Sequence, residues 1–419
     1  MKILVVFGTR PEAIKLAPVI RELRESVHAR SRDLAVKVCV TAQHREMLDQ
    51  VLRLFEIVPD YDLNLMQENQ TPTQVAASVL SRLEPILLTE RPDWVLVQGD
   101  TTTVAAASLA AFYSRAKLGH VEAGLRTGDK WQPFPEEVNR RVAGSIADLH
   151  FAPTHASRQN LLREGISDER ILVTGNTVID ALQWVASLCP TPEVEGLLQR
   201  LGIKPAAENR GIGASDTEGS GAPENLRRSP GPPVPRLLFV TAHRRENFGP
   251  PLEDICLALR DIAVRYDGQL HVLYAVHRNP NVWNPVHQLL GSLENVTLTP
   301  PLDYLSTVHL LKHAYLVLTD SGGLQEEAPS LGKPVLVLRK VTERPEGVVA
   351  GTARVVGVER KSIVRETTRL LEDNHAYAAM AKAVNPYGDG NASQRIVHAL
   401  LNADITVGPQ RTQSTQRTP

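Results

Sequence analysis

The stretch DSGGLQEEA, residues 320–328, follows the apolar run 314–319 and precedes the apolar run 334–338. A strand, a turn of small residues, the start of a helix and another strand make up the βαβ arrangement, in which backbone N–H groups and a helix N-terminus point towards an anion. Gly322 and Gly323 have no Cβ, so the backbone there can approach a bulky phosphate closely. A plain tight turn into a helix is the alternative interpretation, because the same residues suit both.

Similar short apolar runs alternate with helical patterns along most of the chain, and many of them are apolar at consecutive positions. Such runs are typical of parallel sheets that helices cover on both faces. The sequence therefore predicts an α/β protein with two doubly wound, Rossmann-like domains and ligands beyond the carboxyl ends of the strands. The predicted strands are Ile3–Phe7, Val36–Val40, Trp94–Val97, Leu149–Phe151, Ile171–Val173, Leu237–Val240, His271–Ala275, Val296–Leu298, Leu316–Thr319 and Pro334–Leu338.

The domain limits follow from length and composition. A chain of 419 residues exceeds one ordinary core, so two domains of roughly 180 residues each are expected. We predict an N-terminal domain over 1–182 and a C-terminal, nucleotide-binding domain over 183–384, with a helix over 385–403 that packs back on the first domain. The segment 202–235 and the tail 404–419 are predicted to be disordered, because they bury too little apolar area to offset the entropy of ordering.

The composition limits the possible partners. The chain carries 46 basic and 47 acidic side chains, a formal net charge of -1, which gives no long-range field for nucleic acid or an anionic membrane. The cysteines Cys39, Cys189 and Cys256 are too far apart in sequence to indicate a zinc site or a disulfide framework, and they fit a reducing cytosol. The first apolar run is too short for a signal peptide, and no run approaches the ~20 residues that cross a bilayer. We expect a cytoplasmic protein without a nucleic-acid or membrane partner.

Charged residues follow the strands of the first half. Arg10 and Lys15 come after the first strand and could converge on an anion, although ordinary surface charges are the alternative. Asp100 follows another strand, where it could also be an N-cap. Glu122 lies in a loop with glycines, and Glu136 begins a helix, where stabilisation of the helix dipole is the alternative role.

In the second half, His243 follows a strand directly and is the best candidate for a group that changes charge near neutral pH. A core or capping histidine is the alternative. His277 lies at the end of another strand. Together these loops predict a cleft between the two domains, with phosphates bound by the second domain and carboxylates supplied by the first.

Taken as a set, nine stretches closely resemble the non-hydrolysing UDP-N-acetylglucosamine 2-epimerases of bacteria, and they extend over nearly the whole chain except 202–235 and the tail. The stretches are FGTRPEAIKLAP (7–18), TAQHREMLDQVL (41–52), GDTTT (99–103), GHVEAGLRTGD (119–129), PEEVNRR (135–141), TGNTVIDAL (174–182), AHRRENFG (242–249), DSGGLQEEAPSLGKPVL (320–336) and ERPE (343–346).

The resemblance implies the two-domain GT-B fold with an interdomain cleft, a homodimer, and no nicotinamide or metal cofactor. It also implies the residues of the site. The catalytic set is Asp100, Glu122, Glu136 and His243, with the three carboxylates in proton transfer and the histidine beside the diphosphate. The substrate-binding set is Arg10 and Lys15 near the diphosphate, Ser321, Gly322 and Gly323 at a phosphate, Glu327 at the ribose and Arg344 near the nucleotide. Some relatives need their substrate as an activator, which implies a possible activator site with Gln43 and Gln70.

The activity that the resemblance implies is reversible epimerisation of UDP-N-acetylglucosamine to UDP-N-acetylmannosamine. It would proceed by elimination of UDP to 2-acetamidoglucal and re-addition, and would supply a precursor of bacterial surface polysaccharide. Three alternatives stay open. A GT-B glycosyltransferase would pass the sugar to an acceptor, and a hydrolysing epimerase would release free N-acetylmannosamine. A nucleotide-sugar-binding regulator would need no set of three carboxylates, so Asp100, Glu122 and Glu136 argue against it.

Overall fold

A computed structural model describes residues 1–29, 34–42, 45–65, 70–203 and 235–403. The predicted disorder of 202–235 and 404–419 concerns residues that lie almost entirely outside these ranges. The chain divides into two compact units: Met1–Trp184 with Asn385–Pro419, and Val185–Val384. Each unit has its own sheet. Within the described ranges, no helix combines the length and apolar character needed to cross a membrane.

The first unit is built on a seven-stranded sheet with all strand pairs parallel. Its strands are β1 Lys2–Phe7, β2 Ala35–Val40, β3 Tyr61–Asp62, β4 Trp94–Gln98, β5 Lys117–Val121, β6 Leu149–Ala152 and β7 Ile171–Val173. They lie in the order β3-β2-β1-β4-β5-β6-β7. The central strands β1 and β4 are buried over almost their whole length, as expected for apolar strands with helices on both faces.

Helices connect these strands. They are α1 Arg10–Ala29, α2 Arg45–Leu54, α3 Pro72–Glu90, α4 Thr102–Tyr113, α5 Glu136–Ile146, α6 His155–Arg163 and α7 Thr177–Ser187, the last of which runs across the limit between the units. Side-chain caps fix where several of them begin. The Thr101 hydroxyl accepts a hydrogen bond from the Val104 N–H, so Thr101, and not the preceding Asp100, is the N-cap of α4.

The second unit contains a six-stranded parallel sheet. Its strands are β8 Arg236–Thr241, β9 Leu270–Ala275, β10 Val296–Thr299, β11 Leu316–Thr319, β12 Val335–Val337 and β13 Ala353–Val355, in the order β10-β9-β8-β11-β12-β13. Its helices are α8 Pro192–Arg200, α9 Pro250–Arg265, α10 Pro280–Leu290, α11 Tyr304–His313, α12 Gly322–Ser330, α13 Pro345–Val349, α14 Arg360–Glu372 and α15 Asn374–Ala381. Numbered from its own first strand, this order is 3-2-1-4-5-6, that of the Rossmann fold.

The chain ends with α16 Ala392–Ala403, which packs against α1 of the first unit. Asp180 of α7 holds the start of α16. Its Oδ1 accepts hydrogen bonds from the Ser393 N–H at 2.8 Å and the Ser393 hydroxyl at 2.6 Å, and its Oδ2 accepts one from the Ala392 N–H at 3.3 Å. A carboxylate at this position also suits the positive end of the helix dipole.

Every strand predicted from the sequence corresponds to a strand of the structure, but β3, β5 and β13 were not predicted. In β5 the sequence KLGHV places Gly119 and His120 inside the strand, so no continuous apolar run marks it. β13 and β3 are too short to give a pattern. In both units the strand order reverses beside the first strand, between β1 and β4 and between β8 and β11. The loops after these strands diverge at the carboxyl edge, where doubly wound folds bind ligands.

Candidate functional site

In the first unit, a buried carboxylate joins the two loops at the point of strand-order reversal. Glu12, only 2% exposed, accepts hydrogen bonds on Oε2 from the N–H groups of Gly8 at 2.8 Å and Thr9 at 2.7 Å. Its Oε1 accepts one from the Thr101 hydroxyl at 2.6 Å. Burial raises the pKa of Glu12, and the hydrogen bonds from Thr101, Gly8 and Thr9 oppose the rise. Glu12 therefore fixes the loop after β1 to the loop after β4.

Glu122 follows β5 and is held by several donors. Lys15 Nζ lies 2.6 Å from Oε1 and 2.8 Å from Oε2, and Asn176 Nδ2 donates to Oε1 at 3.1 Å. Gln98 Nε2 donates to Oε2. The backbone of Glu122 has a φ of 63°, a conformation that costs about 1–3 kcal/mol in a residue other than glycine. The surrounding contacts thus fix the direction of this carboxylate.

Asp100 follows β4 and is held through its side chain and its main chain. Arg140 donates to Oδ2 from Nε at 2.9 Å and approaches it with Nη2 at 2.7 Å. Asn139 Nδ2 donates to the Asp100 carbonyl oxygen at 2.9 Å. One residue earlier, the Gly99 carbonyl oxygen lies 2.7 Å from His120 Nε2, so this nitrogen carries the proton. Helix α5 and strand β5 together determine the position of Asp100.

Arg140 is itself held by a fully buried carboxylate. Glu137, with no exposed surface, accepts from Arg140 Nη1 on Oε2 at 3.1 Å and from the N–H groups of Thr127 at 3.1 Å and Gly128 at 3.2 Å. Burial raises the pKa of Glu137, but the hydrogen bonds from Thr127 and Gly128 and the charge of Arg140 outweigh it and leave the pKa below its usual value. The pair therefore stays ionised and connects the loop after β5 to the loop after β4.

Glu136, the first residue of α5, differs from these carboxylates. Its Oε2 is buried and has no hydrogen-bond partner among the residues that the structure describes. It lines a cavity of about 270 Å³. The other residues around this cavity are Thr9, Gln70, Pro72, Val75, Thr101, Thr102 and Pro135. Glu136 thus combines an acceptor atom without a partner, a cavity and a helix N-terminus.

Two histidines beneath this edge are neutral at physiological pH. His120 and His150 pair across β5 and β6 and are at most 1% exposed. Burial lowers the pKa of His120 to about 4, although its hydrogen bond to Gly99 opposes the fall. Burial, with the nearby charges of His120, Arg170 and Arg126, lowers the pKa of His150 to about 3.

In the second unit, the buried carboxylate at the strand-order reversal is Asp320, which follows β11, the fourth strand of its sheet in chain order, whereas Glu12 follows the first strand of its own sheet. It has no exposed surface, and its Oδ2 accepts hydrogen bonds from the N–H groups of His243 at 2.7 Å and Arg244 at 2.8 Å and from Asn247 Nδ2 at 3.1 Å. Its Oδ1 lies 3.7 Å from His243 Nδ1. Asp320 therefore fixes the loop after β8 to the loop after β11.

His243 is half-buried and stacks on His277, with ring centroids 5.4 Å apart. Burial lowers the pKa of His243. Asp320 opposes the fall, and His277 and Arg244 add to it. The sequence predicted a group that changes charge near neutral pH; the structure moves the titration of this ring below its usual range.

The turn after β11 leads into α12. Ser321 is its N-cap and makes no side-chain capping bond, and neither Gly322 nor Gly323 adopts a left-handed backbone. A Cβ on Gly322 would lie 3.8 Å from Nη2 of Arg244 and 3.9 Å from Nη2 of Arg344. A helix N-terminus therefore lies beside two guanidinium groups, an arrangement suited to an anion.

The acidic pair of α12 is buried and partnered. Arg344 Nε donates to Glu326 Oε1, and the Tyr304 hydroxyl donates to Glu327 Oε1 at 3.3 Å. Glu327 is 7% exposed. The residue that the resemblance implies at the ribose is thus positioned by a hydroxyl from α11.

Some of the predicted residues lie together within each unit. Lys15 contacts Glu122, and Asp100 is bound by Arg140 of α5, the helix that Glu136 begins; in the second unit, His243 contacts Asp320, and Gly322 lies near Arg344. Arg10 begins α1 and is half-buried. Of the implied activator residues, Gln70 lines the cavity at Glu136, and Gln43 lies outside the described residues.

Sequence reasoning missed the residues that hold these groups. They are Glu12, Gln98, Glu137, Arg140, Asn176, Arg244, Tyr304 and Asp320. A signal was present for Arg140, because it lies three residues after Glu137 on one helix, a spacing that brings side chains together. Nothing in the sequence signals Asn176, which reaches Glu122 from a loop 54 residues away.

Comparison with known proteins identifies the family. Residues 26–401 match the model of a family described as UDP-N-acetylglucosamine 2-epimerase. The chain belongs to this family. The resemblance seen in the sequence is thereby confirmed, and so is the enzyme class, because an epimerase is an isomerase.

Relatives match almost the full chain. The UDP-N-acetylglucosamine 2-epimerase of Escherichia coli (strain K12) is 53% identical over 409 residues, covering 97% of this chain and all of the relative. Among solved structures, the UDP-GlcNAc 2-epimerase of Neisseria meningitidis bound to UDP-GlcNAc is 46% identical, with a TM-score of 0.80 and coverage of 96% of this chain and 100% of that one. The S. aureus MnaA–UDP structure is 42% identical, with a TM-score of 0.78 and 97% coverage of both chains. With these relatives, the predicted GT-B class of two doubly wound domains is confirmed.

Proposed function

We propose that this chain interconverts UDP-N-acetylglucosamine and UDP-N-acetylmannosamine by inverting carbon 2 of the sugar. The family, and the UDP-GlcNAc and UDP bound to the solved relatives, support a UDP-sugar substrate. The observation that carries the proposal is the set of carboxylates Asp100, Glu122 and Glu136 at one edge of the first sheet. A protein that only binds nucleotide sugars has no need of such a set.

The substrate's chemistry determines the order of events. Carbon 2 has no carbonyl group next to it in the ring, so its proton is not acidic. Positive charge must therefore develop at carbon 1 first, as UDP departs. The electrons of the carbon 1–oxygen bond leave with UDP, and those of the carbon 2–hydrogen bond form the double bond of 2-acetamidoglucal. In the return step a UDP oxygen bonds to carbon 1, and carbon 2 gains a proton on its opposite face. The two steps balance without an oxidant or a cofactor.

The second unit has the groups that stabilise the departing diphosphate. Donors that are already in place where negative charge develops lower the barrier most effectively. The N-terminus of α12 at Ser321, Gly322 and Gly323 and the guanidinium groups of Arg244 and Arg344 suit this task. His243 is proposed beside the diphosphate and Glu327 at the ribose hydroxyls. The resemblance adds Arg10 to this set.

The first unit has the groups for proton transfer. Glu136 is assigned to one face of the sugar, because its Oε2 has no partner among the described residues and the residue lines a cavity. Asp100 is assigned to the other face, because its side chain is 27% exposed, whereas that of Glu122 is 6% exposed. Glu122, held by Lys15, then serves as a fixed negative charge for the cationic sugar.

Further parts of the proposal come from the family resemblance. The enzyme is proposed to act in the cytoplasm as a homodimer and to supply a precursor of surface polysaccharide. Gln43 and Gln70 are proposed to take part in activation by the substrate.

Incubation with UDP-N-acetylglucosamine in deuterium oxide, followed by proton NMR, tests this function. Epimerisation predicts a second UDP-sugar and deuterium at carbon 2 in both sugars. Free N-acetylmannosamine with UDP would instead indicate a hydrolysing enzyme. An unchanged spectrum, with turnover only after an acceptor is added, would indicate a glycosyltransferase.

A further inference from the structure

The pair Glu137–Arg140, here called the clamp, contacts Asp100 through the guanidinium group of Arg140. Arg140 uses Nε and Nη2 on a single oxygen of Asp100 and Nη1 on Glu137. Both clamp residues are buried, Arg140 at 8% and Glu137 at 0% exposure. The planar guanidinium allows these contacts in one geometry only, which a lysine cannot reproduce. The clamp therefore restricts the orientation of the Asp100 carboxylate.

The clamp also connects the elements that carry all three carboxylates. Glu137 and Arg140 lie in the helix that Glu136 begins, Arg140 reaches Asp100 after β4, and Glu137 binds the N–H groups of the loop that follows Glu122. We propose that Glu137–Arg140 positions Asp100 for the reaction, and that Arg140 is a positioning residue for proton transfer at carbon 2. The inference rests on the proposed function.

Stability alone explains the contact with Asp100 poorly. Asp100 is partly exposed, and ion pairs with an exposed partner contribute little to stability. Helix α5 is already held to the first unit by buried Ala143 and Gly144. The demand that a proton-transfer group stand within hydrogen-bond reach of its proton does explain a rigid guanidinium on its carboxylate.

The experiment compares Arg140→Met, Arg140→Lys and the control Arg82→Met. Arg82 lies on the exposed face of α3, away from the clamp in sequence, and loses the same guanidinium group. We measure kcat and KM for epimerisation, UDP affinity by calorimetry, and the unfolding midpoint. A displacement of a reacting group by about 1 Å can cost about 100-fold in rate. We expect Arg140→Met to lower kcat by that factor while the Kd for UDP stays within about threefold.

The other variants separate positioning from folding. Arg140→Lys keeps the charge without the planar guanidinium and should recover part of the lost kcat, while Arg82→Met should stay within about twofold of the parent. If Arg140→Met does not fold, Arg140→Lys and Glu137→Gln carry the test, since both keep most of the volume and should lower kcat more than they change UDP affinity. A folded Arg140→Met with parental kcat would overturn the inference. A loss of UDP affinity that matches the loss of kcat would overturn it too, because a general structural role predicts that result.

Asp100→Asn distinguishes this failure from failure of the proposed function. If Asp100→Asn abolishes turnover and Arg140→Met does not lower it, only the clamp inference fails. If the parent does not epimerise the sugar, or Asp100→Asn is as active as the parent, both proposals fail. If both variants lose kcat and keep UDP affinity, both proposals are supported.

Discussion

The two units connect their loops in the same way, but the groups around the connection differ. In each, a buried carboxylate joins the loops at the reversal of strand order: Glu12 between the loops after β1 and β4, and Asp320 between those after β8 and β11. Around Glu12, further carboxylates face Lys15 and Arg140. Around Asp320, a helix N-terminus lies beside guanidinium groups. One scaffold can thus present carboxylates held by cations at one edge, and a helix N-terminus beside guanidinium groups at the other.

The difference follows from how each edge is filled. The acids of the first edge are held by side chains that come from distant parts of the chain, such as Asn176 and Arg140. The anion site of the second edge uses backbone groups at the start of α12. Side chains can direct a proton donor, whereas backbone N–H groups suit a diphosphate of any attached sugar. We therefore assign the rate of the reaction to groups of the first unit and the affinity for the nucleotide to groups of the second.

The largest expected effect concerns the three carboxylates of the first unit. Asp100→Asn, Glu122→Gln and Glu136→Gln should each lower kcat by about 10²–10⁴, the usual cost of losing a group of this kind. The Kd for UDP should change by no more than about threefold, because the nucleotide is assigned to the second unit. Steady-state kinetics and calorimetry measure the two quantities. Glu84→Gln on the exposed face of α3 is the control. If the loss of one of these carboxylates weakens UDP binding as much as it lowers kcat, the assignment of nucleotide affinity to the second unit would be wrong.

The next largest effect concerns Lys15, which the resemblance places near the diphosphate and the structure places on Glu122. Lys15→Met would remove the ammonium group that contacts the buried carboxylate of Glu122. We therefore expect kcat to fall by about 100-fold, equivalent to about 2.7 kcal/mol. If Glu122 is the functional partner of Lys15, UDP affinity stays near that of the parent. If the Kd for UDP instead rises by the same factor, Lys15 acts at the diphosphate. The assignment of nucleotide affinity to the second unit alone would then be wrong.

The residues that are proposed to touch the substrate could be named from the sequence, whereas most of the residues that hold them could not. Strand ends in a parallel sheet are recognisable from apolar runs, so Asp100 and His243 stand out directly after them. Arg140 and Asn176 act through contacts between elements far apart in the chain, which no local pattern encodes. The strand β5 was missed for a related reason: Gly119 makes room beside Leu96 and Phe151, and His120 binds Gly99, so packing and a polar contact replaced the apolar pattern.

A smaller effect is expected at the carboxylate that organises the second edge. Asp320→Asn keeps the shape of the side chain but weakens the hydrogen bonds from the N–H groups of His243 and Arg244. We expect the Kd for UDP to rise about tenfold, or about 1.4 kcal/mol, with a smaller change in kcat at saturating substrate. Glu12→Gln, the equivalent change in the first unit, should act mainly on kcat. Equal effects of both variants on UDP affinity would contradict the assignment of binding to the second unit.

The smallest effect concerns the buried histidine beneath the first edge. Burial and neighbouring positive charges lower the pKa of His150 to about 3 in the folded chain, against about 6.5 when unfolded. The unfolded chain therefore binds a proton below pH 6.5 that the folded chain does not, so stability falls as the pH drops through 6.5 and the loss levels off only below the folded value. Between pH 7.5 and 6, one such histidine lowers the free energy of unfolding by about 0.8 kcal/mol. Urea unfolding of His150→Leu at these two pH values should show a drop smaller than that of the parent by this amount, while the exposed His155→Gln should leave the drop unchanged. A drop in His150→Leu equal to that of the parent would mean that the folded and unfolded chains bind the His150 proton equally over this range, which contradicts the lowered pKa.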